Sequence, residues 1–101
     1  MVRATLYMKV RPGRGDDFER EWRAIAAKVR TVPGNLRQGL TRDPDDLDSF
    51  VVTSDWSTPE LFSKFERSPE QDELTSSLRD LRASARMTVH ELVVHIEGEA
   101  G

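Results

Sequence analysis

Val2, Ala4, Leu6, Met8 and Val10 alternate with Arg3, Thr5, Tyr7, Lys9 and Arg11, and a period of two predicts a strand with one apolar face. Pro12-Gly13-Arg14-Gly15 ends it. Phe18, Trp22, Ile25, Val29 and Val32 then recur four and three residues apart, with charged residues on the remaining arc. That spacing predicts an amphipathic helix from Asp16 to Val32. Asp16 and Asp17 suit the positive end of its dipole, and Pro33-Gly34 stops it.

Asn35 to Arg42 predicts a second strand, interrupted by Gly39, and Asp43 to Asp48 reads as a turn built from Asp and Pro. Ser49 to Trp56 predicts a third strand, rich in β-branched and aromatic residues. Ser57 and Glu60 stand at capping-box spacing, and Pro59 suits a first helical turn, where its missing N–H costs nothing. A short helix from Thr58 to Arg67 follows. Ser68-Pro69-Glu70-Gln71 repeats the same signal and opens a second segment, with Leu74, Leu78 and Leu81 on one face. Met87 to Ile96 predicts the fourth strand, its run from Leu92 to Ile96 apolar enough to be covered on both faces.

Strand, helix, strand, strand, helix, strand is the order of the ferredoxin-like split βαβ arrangement, an α+β fold with a four-stranded antiparallel sheet and helices on one face. The uncovered face must meet water, a ligand or another sheet. At 101 residues, 37% of them hydrophobic, the chain predicts one domain whose core is largely spent on folding. Enclosing a ligand of ordinary size calls for help from a second copy packed sheet to sheet.

A formal charge of −3 and a pI near 5.4 argue against a nucleic-acid partner. Without cysteine there are no disulfides, thiolate nucleophiles or cysteine-type metal sites. The alternating start of the chain does not read as a signal peptide, and no run approaches a membrane span, so the expected location is cytoplasmic. The acidic turn at Asp43 to Asp48 lacks the glycine and glutamate of an EF-hand loop, and Pro12-Gly13-Arg14-Gly15 lacks a full dinucleotide fingerprint. Two histidines, His90 and His95, both fall on the predicted fourth strand at odd spacing, so they point to opposite faces and cannot share one metal site. Either could act as a general base.

What remains is an aromatic set, Trp56, Tyr7, Phe62 and Phe65, suited to a flat conjugated ligand. With no cofactor or metal expected, the chemistry must lean on the substrate. A phenolic or enolic polycycle qualifies, because its anion passes an electron to dioxygen and asks the protein only for a base, an anion stabiliser and a dry pocket.

The strand–helix order, Val32-Pro33-Gly34 closing the first helix, and Trp56-Ser57-Thr58-Pro59-Glu60-Leu61-Phe62 after an aromatic strand resemble the antibiotic biosynthesis monooxygenase (ABM) domain, over about Val2 to Ile96. The resemblance implies a homodimeric α+β barrel with the two sheets facing each other, and a cofactor-independent oxygenase of aromatic polyketides. The family members that turn anthrones into quinones carry an Asn four residues before the Trp and a Tyr six after it; here Val52 and Phe62 stand there. The haem-degrading branch carries an Asn on the first strand and a His on the second helix, where this chain has Leu6 and Thr75. Haem degradation is therefore not expected. Tyr7, His90 and His95 are the expected catalytic residues, and Trp56, Phe62, Phe65, Arg37 and Thr75 the expected substrate contacts. The alternative is a non-oxidative polyketide cyclase or a ligand-binding accessory protein on the same scaffold.

Overall fold

The structure is a computed structural model that describes residues 1–100. The elements are β1 (Val2–Val10), α1 (Gly15–Val29), β2 (Asn35–Asp43), β3 (Asp46–Trp56), α2 (Pro59–Glu66), α3 (Pro69–Leu81) and β4 (Arg82–Glu91). The four strands form one antiparallel sheet in the order β2-β3-β1-β4. This is the ferredoxin-like α+β arrangement that the element order predicts.

The alternation in β1 is realised as two chemically different faces. Val2, Ala4, Met8 and Val10 are buried and pack with Phe18, Ile25 and Val29 of α1, Phe50 and Trp56 of β3, Phe62 of α2, and Leu78 and Leu81 of α3. Phe18 and Phe50, both fully buried, meet at a centroid distance of 4.7 Å. Arg3, Thr5, Tyr7 and Lys9 point to the other face. Burial of the large apolar side chains on the helix side supplies most of the driving force, at roughly 25 cal/mol per Å² removed from water.

The helix between Trp56 and α3 starts one residue later than the capping-box spacing predicts. Thr58, not Ser57, is its N-cap and accepts from the Leu61 amide at 3.1 Å, with Pro59 in the first turn. Ser57 is held instead by its backbone, donating to the Gly34 carbonyl at 2.9 Å. That contact carries the turn after α1 against the end of β3. Gly34 has φ +93°, and a Cβ there would meet the Leu61 side chain at 2.8 Å, so both the backbone and the packing require glycine. Ser68 caps α3 as expected, accepting from the Gln71 amide at 3.0 Å, again with a proline next to it. α1 ends at Val29 instead of Val32, although Val32 still packs against the core.

The largest departure is at β4. The apolar run predicts a strand from Met87 to Ile96, but the strand is Arg82–Glu91. Its extent is set by β1: Val10 pairs with Arg82 at one end and Val2 with Glu91 at the other. The Leu92 amide makes one more bond, to the Met1 carbonyl at 2.8 Å, and there the partner strand runs out. Residues of weak strand propensity, Arg82 to Arg86, are recruited because they have a partner. Val93, Val94 and Ile96, better strand formers by composition, lie outside the sheet and are exposed. Availability of backbone partners has overruled propensity.

Candidate functional site

Cross-strand pairing assigns the predicted site residues on strands, Tyr7, Arg37, Trp56 and His90, to a face. Trp56 pairs with Val2 and Asn35 on the helix-covered side. Its ring is fully buried, stacks on Phe65 at 4.9 Å with planes 28° apart, and meets Phe62 at 5.8 Å. Phe62 and Phe65 project from α2 at helical spacing, and the Thr58 cap and Pro59 fix where that helix begins. A cavity of about 150 Å³ lies beside them, lined by Ala4, Leu6, Met8, Val52 and Ser54 from the sheet and by residues of all three helices. It is mostly apolar. Thr75 lines it from α3, donating its hydroxyl to the Gln71 carbonyl and accepting from Arg79, both at 2.8 Å.

The structure therefore brings together Trp56, Phe62, Phe65 and Thr75. It does not bring Tyr7, His90, His95 or Arg37 to them. Tyr7 is on the open face, exposed, with the Arg86 guanidinium 4.5 Å over its ring. His90 is opposite Arg3 on that same face. His95 is not on a strand at all: it lies beyond β4, its Nε2 2.7 Å from Glu97. His90 and His95 therefore do not take opposite faces of one strand, as their odd spacing predicts, because the strand ends between them. The cavity is also within one chain, on the helix-covered side, although the sequence suggests a site closed by two facing sheets. At about 150 Å³ it is well under the roughly 300 Å³ of an ordinary small-molecule site.

Leu6, Val52, Phe62 and Thr75, the positions where the family resemblance puts functional side chains, all line this one cavity. Here three of the four are apolar. Polarity is supplied from elsewhere, by Gln38, Ser54, Glu66 and Gln71, none of which stood out in the sequence. Ser54 had a signal: two residues before Trp56, it must share its face. Its hydroxyl accepts the Trp56 indole N–H at 3.1 Å and keeps its own proton to donate. Gln71, one turn before Thr75 on α3, likewise shares its side. Gln38 is paired with Ser54 across the sheet and donates to the Ala26 carbonyl at 3.0 Å, tying β2 to α1. Among the described residues Glu66 is the sole ionisable side chain lining the cavity, and it is exposed, as a residue at its rim would be.

Arg37, Asp55, Arg3 and His90 form one row across the open face, from β2 to β4. Asp55 is 1% exposed, and Arg3 grips both its oxygens, at 2.7 and 2.9 Å, while Arg37 donates to Oδ2. The hydrogen bonds and charge of Arg3, and then of Arg37, hold the Asp55 carboxyl below the usual range against the opposing cost of burial. Among the described residues no three His, Asp or Glu side chains converge to hold a metal ion, and no helix is long and apolar enough to cross a membrane.

A family model described as antibiotic biosynthesis monooxygenase matches residues 1–75. No protein of curated function gives a significant match. Among solved structures the chain is similar to SnoaB, a cofactor-independent oxygenase from Streptomyces nogalater. The identity is 22% over 96% of this chain and 97% of that one, with a TM-score of 0.84. Candidate antibiotic biosynthesis monooxygenases from Nitrosomonas europaea and Deinococcus radiodurans superimpose with a TM-score of 0.82 each. They are 17% and 18% identical over 93% and 97% of this chain and the whole of theirs. At these identities the likeness is one of fold.

Proposed function

The chain belongs to the antibiotic biosynthesis monooxygenase family, and on that premise we propose that it is a cofactor-independent monooxygenase acting on a phenolic or enolic aromatic ring, of the kind found in polyketides. A monooxygenase-type activity is what the family supports; the substrate class is our reading. The observation that carries it is the mostly apolar cavity walled by Trp56, Phe62 and Phe65, with Glu66 as the one ionisable residue lining it among the described residues.

Glu66 at the rim accepts the proton of the acidic phenol or activated methylene. The Ser54 hydroxyl and the Gln71 carboxamide are the groups able to donate to the resulting oxyanion, in surroundings where a hydrogen bond counts for more than in water. The electron-rich anion then reduces dioxygen by one electron, and the radical and superoxide recombine to form the C–O bond. Loss of water from the peroxide leaves a carbonyl, so one methylene and one dioxygen give one ketone and one water. Apolar walls serve this sequence by keeping bulk water from the carbanion and the peroxide. A homodimer with the two open faces in contact belongs to the same proposal; it would bury the Arg37–Asp55–Arg3–His90 row away from the cavity.

Oxygen uptake with a panel of anthrones and naphthols, with no flavin or metal added, tests the proposal. Stoichiometric uptake that Glu66→Gln abolishes is expected, and no turnover across the panel would overturn it. The presence of Val52 and Phe62 where quinone-forming members carry Asn and Tyr favours a second reading, a non-oxidative cyclase or an accessory binding protein. Equal conversion in the absence of oxygen would establish that reading instead.

A further inference from the structure

Outside the cavity, between α1 and the outer edge of β2, runs an open groove of about 580 Å³ lined by Arg23, Arg30 and Arg37. It adjoins the cavity. Trp22, Ala26 and Gln38 line both, so the indole of Trp22 and the Gln38–Ala26 hydrogen bond form the partition between a mostly apolar chamber and a basic channel. Three further observations bear on what the groove holds. Among the described residues no acidic side chain lines it. Arg30 makes no ion pair among the described residues, and Arg23 only a long one to Glu19 at 3.9 Å. The Nδ2 of Asn35, which also lines the groove, is buried without a hydrogen-bond partner. A chain with a net charge of −3 has thus gathered three guanidinium groups and an unused amide donor at one place.

From this we propose that the groove is an anion subsite of the cavity, and that the substrate is an aromatic ring carrying a carboxylate arm. This rests on the cavity being the substrate site. The ring occupies the chamber beside Trp56, which at about 150 Å³ is well under the roughly 300 Å³ of an ordinary small-molecule site, so a side arm must extend beyond it. The arm passes the Trp22–Gln38 partition and ends on Arg23 and Arg30, whose planar forks match a carboxylate. Arg37, committed to Asp55, contributes charge.

The test uses the full chain and two probes, a naphthol bearing a propionate arm and its methyl ester, followed by quenching of tryptophan fluorescence. The acid should bind about tenfold more tightly than the ester. The preference should disappear in Arg23→Ala/Arg30→Ala and in high salt, with the ester's affinity unchanged. Both arginines are exposed, and an unchanged circular dichroism spectrum and melting temperature would show that the variant is folded. Equal binding of acid and ester, or equal weakening of both by the variant, overturns the subsite, as does binding of neither. Oxygen uptake separates the two proposals. Uptake with no preference for the acid removes the subsite and leaves the oxygenase, whereas preference without uptake removes the oxygenase and leaves the subsite.

Discussion

The indole N–H of Trp56 is spent on the Ser54 hydroxyl, 3.1 Å away and two residues earlier on the same face of β3. Trp56 therefore offers a ligand an aromatic wall and no donor, and the hydroxyl it holds is the polar group left facing the cavity. Because the indole is fully buried, removing its hydroxyl partner strands the N–H. Ser54→Ala should cost about 1–3 kcal/mol by leaving the buried indole N–H unpaired. In a Trp56→Phe background the same change should cost much less. A double-mutant cycle by urea denaturation reads the coupling directly, and additive losses would show that the bond contributes nothing. Trp56→Ala, which empties a fully buried site, should cost about 3–5 kcal/mol.

Asp55 links stability to pH. Its carboxyl titrates below the usual Asp value of 3.8 in the folded chain, chiefly because Arg3 and then Arg37 bond to it. A depressed folded value means that the contribution is fully present above the unfolded value and is lost as pH falls through the folded one. Asp55→Asn should therefore be less stable than the parent from about pH 5 upward, with the gap closing below pH 4. A gap that persists unchanged into strong acid would show that the loss is one of packing and not of charge.

The helix after Trp56 separates two neighbouring hydroxyl residues. Thr58→Ala removes the side chain that caps Leu61 and should cost about 1 kcal/mol. Ser57→Ala, which leaves the backbone bond to Gly34 intact, should cost a few tenths at most. Thermal melts of the two variants decide it, and the reverse ranking would move the helix start to the position that the capping-box spacing suggests.

Activity should divide by face. Glu66→Gln, at the cavity rim, should lower kcat by roughly a hundredfold or more if it is the base, with ligand affinity retained. Tyr7→Phe and His90→Ala, on the opposite side of the sheet, should keep kcat/KM within a few fold. A large loss in either open-face variant, with folding intact, would move the chemistry to the open face of the sheet.

The sequence by itself determined the order and type of the elements, the two-sided character of β1, the prolines that open α2 and α3, and the Ser68 cap of α3. Each of these is a local property, readable from spacing along the chain. What only the tertiary structure decided depends on which backbone lies beside which. β4 stops at Glu91 because β1 offers no partner beyond it, so His95 leaves the sheet. Tyr7 and Trp56, both aromatic and both on strands, fall on opposite faces because the antiparallel register pairs Tyr7 with Val51 and Val2 with Trp56. Gln38, Ser54, Glu66 and Gln71 converge on one cavity from a strand, its neighbour and two helices. No periodicity marks that convergence, because it arises from packing the helices on one side of the sheet.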